Sequence, residues 1–255
     1  MKHKSFYLIL FSLPVIAITI AAFTSTHKKP DQPSPATTEN GFAVVELFTS
    51  EGCSSCPAAD ETVARLLAKN KANVYVLSYH VDYWDKLGWK DKFSSASFTQ
   101  RQNQYASAFG LNSIYTPQVV VNGSTEFVGS DEARLNAAIE SSTENQSSFN
   151  ISLTIKRNAN FITVIYEING NTAGQLLNIA LIQPEATVSI KRGENGGRTL
   201  RHVNIVRSLK ILEAAGKGTT TIEIPGDVAA IPLQVMAYTQ EKKSLHITAA
   251  EKQSL

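Results

Sequence analysis

The chain contains only two cysteines, Cys53 and Cys56, and they lie three positions apart where an apolar strand gives way to a helical pattern. If Cys53 lies at the N-terminus of that helix, free backbone N–H groups and the helix dipole stabilise its thiolate, which is the nucleophilic form of cysteine. Cys56 follows one helical turn later, within reach of a mixed disulfide formed at Cys53. The spacing therefore predicts a redox site in which Cys53 attacks and Cys56 resolves.

The same pair of cysteines has three other interpretations. It could be a permanent short-range disulfide, two unreactive core thiols, or half of a zinc site. A structural zinc site would need a second pair of Cys or His ligands, and the chain has no second pair of cysteines. We favour thiol–disulfide exchange, because the pair follows a strand and precedes a helix.

Length and charge narrow the class of protein. The 255 residues, 43% of them apolar, suffice for one large or two modest domains with buried cores, and we expect two. The formal net charge of +2, without a long basic run, argues against a nucleic-acid partner.

The first residues have the pattern of an export signal. A basic start at 2–4 precedes an apolar run at 7–23, which is short for a spanning helix and typical of a signal peptide. Residues 1–24 are therefore predicted to be a signal peptide or, because no clean cleavage site follows, an uncleaved membrane anchor. Residues 25–40 are rich in Pro, Thr, Ser and Lys and are predicted to be a disordered linker. We expect an extracytoplasmic protein, periplasmic or secreted, where disulfides persist.

Residues from Gly41 onward show an ordered series of strand and helix patterns. Apolar runs predict strands and one-sided apolar spacing predicts helices, and Asn122-Gly123 indicates a two-residue hairpin turn. The predicted elements are a strand at 42–48, a helix after Cys53, a strand at 73–81, a helix at 95–109, strands at 118–121 and 125–128, and a helix at 130–140.

This order, with C-x-x-C at the first strand-to-helix junction, resembles the thioredoxin fold over residues 41–142. In that superfamily a cis-proline lies against the active-site disulfide, and the backbone of the residue before it pairs with an extended substrate. Thr116-Pro117 stands at the matching position. Glu46 resembles the buried carboxylate that accepts a proton from the resolving cysteine, although its offset from Cys53 is one residue longer than usual. The resemblance thus implies substrate binding at Thr116 and Pro117 and a catalytic role for Glu46.

A closer resemblance rests on five segments together, at 47–57, 80–85, 88–91, 115–118 and 192–196. These segments resemble a secreted thioredoxin-like family that is known mainly as a domain of unknown function. The match spans nearly the whole exported part of the chain and implies a fold and little biochemistry.

The segment at 80–93 is an insertion relative to a minimal thioredoxin, and we expect it to wall the active site. Protonated His80 would favour a thiolate at Cys53, whereas a charged Asp82 or Asp85 would oppose it. Trp84 and His80 are expected to contact substrate. The alternative is that the tryptophans only pack a lid and the aspartates cap turns.

Residues 149–250 are predicted to form regular short strands without helices, among them separate strands at 176–183 and 187–190. The polar stretch before them, at 141–148, is predicted to be a linker. The predicted fold class is therefore an α/β thioredoxin-like domain at 41–142 followed by an all-β sandwich-like domain at 149–250. A basic, glycine-rich loop at 191–202 could bind an anion or pack against the redox site. We favour a solvated hairpin loop here.

Three functions fit the sequence. The first is an extracytoplasmic thiol–disulfide oxidoreductase that acts on protein or small-molecule thiols and disulfides and needs no cofactor. The second is a metal-delivery module in which Cys53, Cys56 and His80 bind Cu(I), because thiolates are the soft ligands that this ion prefers. The third is a noncatalytic adaptor that would tolerate the loss of both thiols. The first is our prediction.

Overall fold

The computed structural model describes His3 and residues 41–69, 71–145 and 147–255. Apart from His3, the predicted leader at 1–24 and the predicted linker at 25–40 lie outside these residues. None of the described helices combines the length and the apolar character needed to cross a bilayer.

The described residues form three α-helices and eleven strands. In chain order they are β1 (Ala43–Thr49), α1 (Cys56–Ala68), β2 (Val74–His80), α2 (Ala96–Phe109), β3 (Gln118–Val121), β4 (Thr125–Val128), α3 (Glu132–Glu144), β5 (Asn150–Arg157), β6 (Phe161–Asn169), β7 (Gln175–Ser189), β8 (Thr199–Glu213), β9 (Lys217–Glu223), β10 (Gln234–Glu241) and β11 (Ile247–Ser254). A short 3-10 helix spans Gly226–Val228.

Several local predictions are confirmed. The helices predicted after Cys53 and over 95–109 are α1 and α2. The hairpin at Asn122-Gly123 joins β3 to β4, and both turn residues have positive φ, 48° and 64°. Asn and Gly adopt this left-handed conformation most readily. Val121 pairs with Thr125, so the loop has three residues rather than the two expected.

The predicted fold class is wrong. Eight strands form one mixed sheet in the order β11-β10-β7-β8-β2-β1-β3-β4, and β5-β6-β9 form a second sheet. The described residues are mostly β, with 44% strand and 20% helix, and four strands of the second half belong to the sheet that contains β1. The structure is therefore not an α/β thioredoxin-like domain followed by a separate sandwich.

The second half of the chain joins the sheet through the edge of β2. β8 runs parallel to β2 and pairs with it at Ser78 and Ile205. The hydroxyl of Ser78 donates to the Val203 carbonyl at 2.7 Å, and the side chain of Asn204 donates to the Val76 carbonyl at 3.1 Å. Alternating apolar residues identify a strand but do not say which distant strand will cover its edge, and for this reason the sequence prediction failed here.

One strand is longer than the sequence indicated, because 176–183 and 187–190 were predicted as two strands and β7 is continuous. It pairs with β8 from Leu176 to Ser189 but with β10 only as far as Ile182. Pro184 therefore lies where one side of β7 is an edge, and its missing N–H costs no ladder hydrogen bond on that side.

Three apolar clusters surround the sheets. One lies between β1 and the helices α1 and α3 and includes Leu47, Val63 and Leu135, and another lies on the opposite face and includes Phe48 and Tyr105. The third lies between the three-stranded sheet and β7, β10 and β11. The parallel strands β1 and β2 end side by side, with Thr49 paired to His80, and the cysteines follow directly after this edge.

Candidate active site

The two cysteines form a disulfide in the turn between β1 and α1, with 5.4 Å between their Cα atoms. α1 begins at Cys56 and Ser55 is its N-cap, so Cys53 lies in the turn before the helix. The N–H of Cys56 donates to the Cys53 carbonyl at 3.2 Å. Both cysteines are 0% exposed, whereas Ser54 and Ser55 between them are exposed. In this oxidised form the disulfide is therefore shielded from solvent.

The glycine-rich loop at 191–202 packs against the cysteine turn. The side-chain amide of Asn195, which is fully buried, donates hydrogen bonds of 2.9 Å to the carbonyls of Glu51 and Cys53. The carboxylate of Glu194 accepts the N–H of Ser54 at 3.1 Å. The interpretation of this loop as a solvated hairpin is therefore wrong at Asn195, although Lys191 and other charged residues of the loop are exposed.

Trp84 links the cysteine turn to the proline segment. Its indole N–H donates to the Thr116 hydroxyl at 2.8 Å. Gly52 lies so close that an added Cβ would be 3.1 Å from the Trp84 Cβ. The Thr116–Pro117 peptide bond is cis. The structure thus places Trp84 against both Thr116 and the residue before Cys53.

His80 lies beneath the site rather than on its wall. It is fully buried at the end of β2, with Nδ1 2.6 Å from Oδ2 of the buried Asp91. Asp91 also accepts the N–H groups of Glu51 and Phe93, at 2.9 and 2.8 Å. Burial opposes protonation of His80, but the Asp91 carboxylate outweighs burial and raises the His80 pKa. Burial likewise opposes ionisation of Asp91, yet His80 lowers the pKa of this carboxyl.

A second histidine reaches the same place from β8. Nδ1 of His202 lies 3.2 Å from Oδ2 of Asp60, and its Nε2 lies 3.7 Å from Oε1 of Glu51. The rings of His80 and His202 are nearly perpendicular, with centroids 4.8 Å apart. We call the five side chains that meet here the buried acid–histidine cluster: Glu51, Asp60, His80, Asp91 and His202.

The remaining contacts of the cluster involve Glu51 and Asp60, two of its three acids, which flank the cysteines in the sequence. The second carboxylate oxygen of Glu51 accepts the indole N–H of Trp89 at 2.6 Å, and Oδ1 of Asp60 accepts the hydroxyl of Thr49 at 3.1 Å. Burial, followed by the nearby Asp91 carboxylate, raises the pKa of Glu51. Sequence reasoning missed Glu51, Asp60 and His202 as site residues. The available signal was their sequence position, since Glu51 and Asp60 flank the cysteines, but nothing local points to His202.

Glu46 is engaged elsewhere. Its carboxylate pairs with Nε of the buried Arg101 at 2.7 Å and accepts a hydrogen bond from the Tyr105 hydroxyl. Both partners belong to α2. Among the described residues, no hydrogen bond or ion pair joins Glu46 to either cysteine.

The described residues offer no ready metal centre. Within them, no group of three or more His, Cys, Asp or Glu side chains is arranged to hold a metal ion. Of the predicted Cu(I) ligands, Cys53 and Cys56 are joined in the disulfide and His80 is paired with Asp91. Cu(I) binding by the reduced chain stays a hypothesis.

Fold and site together define a mostly β protein with a shielded C-x-x-C disulfide at the end of two parallel strands. The chain belongs to the DUF1223 family, described as proteins of unknown function, whose pattern it matches over residues 44–240.

Two solved structures resemble this chain. Protein AGR_C_4864 from Agrobacterium tumefaciens is 31% identical and has a TM-score of 0.59, with 82% of this chain and 92% of that chain covered. HBP35 of Porphyromonas gingivalis is 16% identical, with a TM-score of 0.53 and coverage of 85% and 76%, a likeness that concerns the fold alone. No curated protein sequence matches the chain.

Proposed function

We propose that the chain is an extracytoplasmic thiol–disulfide oxidoreductase whose chemistry follows that of the thioredoxin-like superfamily. The observation that carries this proposal is the disulfide between Cys53 and Cys56 at the start of α1. Since the sequence contains no third cysteine, any further exchange of this disulfide must involve thiols of another molecule. Protein or small-molecule disulfides are the substrates.

In the reduced protein, Cys53 is the attacking group and Cys56 the resolving group. The Cys53 thiolate attacks one sulfur of a substrate disulfide, forms a mixed disulfide and releases the first substrate sulfur as a thiolate. The Cys56 thiolate then attacks the Cys53 sulfur, restores the internal disulfide and releases the second substrate thiol. Two electrons pass to the substrate, and each released thiolate takes up a proton. The reverse sequence oxidises a substrate dithiol.

The shielding of both cysteines sets a requirement on the substrate. Because each cysteine is 0% exposed, a partner reaches the sulfurs only after the residues over the turn have moved. Trp84 is half-buried and hydrogen-bonded to Thr116, and Pro117 follows directly. We propose that Trp84, Thr116 and Pro117 form the substrate groove, as the resemblance to thioredoxins implies.

The competing interpretation is a permanent structural disulfide. The reduction potential of the pair separates the two interpretations, because structural disulfides usually lie below about −300 mV. A value above about −180 mV would indicate an oxidant or isomerase, and one between about −300 and −250 mV a reductant. A potential well below this range, with no exchange against glutathione or dithiothreitol, would contradict the proposal.

Cysteine variants test the order of attack. Cys53→Ser should abolish exchange, and Cys56→Ser should trap mixed disulfides with substrates. Ser54→Ala is the matched control, since it changes an exposed residue between the cysteines, retains both thiols and keeps the N–H that Glu194 accepts. Full function with both cysteines replaced would support the adaptor hypothesis. Stoichiometric Cu(I) binding by the reduced chain, lost in His80→Ala, would support metal delivery.

The compartment is part of the proposal. Stable disulfide chemistry fits an oxidising location, and the apolar run at 7–23 has the pattern of an export signal. Cell fractionation together with alkylation of intact cells by a membrane-impermeant thiol reagent would test it. Recovery of the chain only in the cytosol, with both thiols reduced, would contradict it.

A further inference from the structure

The buried acid–histidine cluster contains polar atoms that lack hydrogen-bond partners. Four such atoms are Oε1 of Glu51, Nε2 of His80, and both ring nitrogens of His202. The contacts of His202 with Glu51 and Asp60 have ion-pair distances without hydrogen-bond geometry. Buried polar atoms are nearly always paired, so several unpaired atoms in one cluster call for an explanation.

Two members of the cluster flank the cysteines in the sequence. Glu51 precedes Cys53 by two residues, and Asp60 follows Cys56 by four. Residues four apart on a helix are neighbours on one face, and both Cys56 and Asp60 are buried members of α1. His202 comes from β8, which packs against α1. Asp60, one helical turn after Cys56, thus lies against the ring of His202.

The cluster contains three carboxyl groups but only two imidazole rings. Asp91 is paired with His80 at 2.6 Å, which leaves Glu51 and Asp60 facing the single imidazole of His202. The ring of Phe93 packs against both histidines. Two cations, Lys92 and Arg207, lie over this ring, 4.9 and 5.2 Å from its centroid. Because burial penalises an uncompensated negative charge, two carboxyl groups around one imidazole can hold an additional proton.

We propose that Asp60 and His202, with Glu51 beside them, accept the proton that Cys56 loses and later return it. We call these three residues the proton store of the cysteine pair. This inference rests on the proposed oxidoreductase function and deepens it. During resolution, the Cys56 thiol gives its proton to Asp60, which shares it with His202, and the resulting thiolate attacks the Cys53 sulfur. The bond between Cys53 and the substrate breaks, and the substrate thiolate is protonated from solvent. When the internal disulfide is reduced, the proton returns to Cys56 by the same route.

The test is the pH dependence of the resolution step in His202→Gln. We would mix reduced protein with oxidised glutathione and follow the mixed disulfide and its decay by rapid acid quench and mass spectrometry between pH 5 and 9. The control is His246→Gln, which changes an exposed histidine outside the cluster.

In His202→Gln, decay of the mixed disulfide should slow about 10²-fold near pH 6.5, a typical contribution of general acid–base catalysis. The difference from the wild-type rate should shrink toward pH 9, because a thiol loses its proton more readily to solvent as the pH rises. Attack by Cys53 should change little.

A purely structural role for His202 would give a different result. A disturbed fold would slow both steps at every pH, so a rate profile parallel to that of the wild type would overturn the proposal. Asp60→Asn provides a second variant with the same expected profile if His202→Gln does not fold.

In the wild-type protein, the ¹⁵N chemical shifts of the His202 ring at pH 6.5 should differ between the oxidised and the reduced form, and identical shifts would also overturn the proposal. If Cys53→Ser loses exchange but the tests of His202 are negative, the oxidoreductase function is retained and only the proton store is refuted. Exchange that persists in Cys53→Ser would instead refute the function itself.

Discussion

The side-chain amide of Asn195 donates a 2.9 Å hydrogen bond to the carbonyl of Cys53, although 142 residues separate the two in sequence. The same amide donates to the Glu51 carbonyl, and its oxygen accepts a hydrogen bond from Arg198 at 2.9 Å. The turn that carries the disulfide is therefore held by a residue from the second half of the chain.

Replacing Asn195 by Asp should loosen this turn. A carboxylate cannot donate to the two carbonyls, so both lose their partner in a buried place, at a cost of about 1–3 kcal/mol for each buried group left unsatisfied. We expect a lower free energy of unfolding in urea and faster reduction of the disulfide by dithiothreitol. Glu194→Gln, a change of the exposed neighbour, should shift stability by less than about 0.5 kcal/mol. Equal effects of the two variants would contradict the role given to Asn195.

Glu46→Gln should affect stability far more than disulfide exchange. Removing one partner of a buried ion pair typically costs about 3–5 kcal/mol, because the remaining charge of Arg101 is left uncompensated. The folded fraction should exchange disulfides with an unchanged pH profile, because the contacts of Glu46 lie with Arg101 and Tyr105. The double variant Glu46→Gln, Arg101→Gln should be more stable than the sum of the single losses predicts. An altered pH profile of exchange in Glu46→Gln would restore Glu46 as the proton acceptor.

The His80–Asp91 pair should make stability depend on pH. The pKa of His80 is raised in the folded protein, so its contribution is fully present below the ordinary value of 6.5 and is lost as the pH rises through the folded pKa. The pKa of Asp91 is lowered, so its contribution is present above the ordinary value of 3.8 and is lost as the pH falls through the folded pKa. The pair should therefore stabilise most between these two values.

Urea denaturation between pH 5 and 9 measures this dependence. The free energy of unfolding of the wild type should decline above pH 6.5 more steeply than that of His80→Gln, and His246→Gln should keep the wild-type slope. Burial raises the pKa of Glu51, so its loss of stability begins as the pH rises above the ordinary value of 4.5, and both variants retain this residue. Identical slopes in all three proteins would show that the pair does not titrate with folding.

Trp84→Phe should impair exchange with peptide disulfides and leave exchange with a small disulfide nearly unchanged. The substitution keeps an aromatic ring and removes the indole N–H that donates to Thr116, which should cost about 1 kcal/mol of stability. The quantity to compare is kcat/KM for a disulfide-linked peptide and for oxidised glutathione. Leu87→Ala is the matched control, since Leu87 belongs to the same segment and is 59% exposed. An equal loss with both substrates would place Trp84 outside the substrate groove.

Local sequence patterns predicted most of the individual elements. The apolar run before the cysteines, the one-sided spacing after them and the Asn122-Gly123 turn each reflect a periodicity or a backbone preference of a few neighbouring residues. These features depend on chain geometry alone, and α1, α2 and the β3–β4 hairpin lie where they were expected.

The sheet order and the surroundings of the cysteines could not be predicted in this way. β8 covers the edge of β2 because that edge exposes unpaired backbone groups, and many strands of similar composition could have done so. His202 and Asn195 reach the site only as a consequence of this pairing. The partners of Glu46 likewise follow from the face of β1 that packs against α2.

The sequence by itself determined that a pair of cysteines closes a turn between a strand and a helix, because three residues of spacing bring two such side chains together in any fold that contains this junction. Only the tertiary structure decided that this turn is shielded from solvent and lies against a cluster of buried acids and histidines. The contacts of Asn195 and His202 join residues more than a hundred positions apart, and they form because the strands of the two halves bury their edges in one sheet.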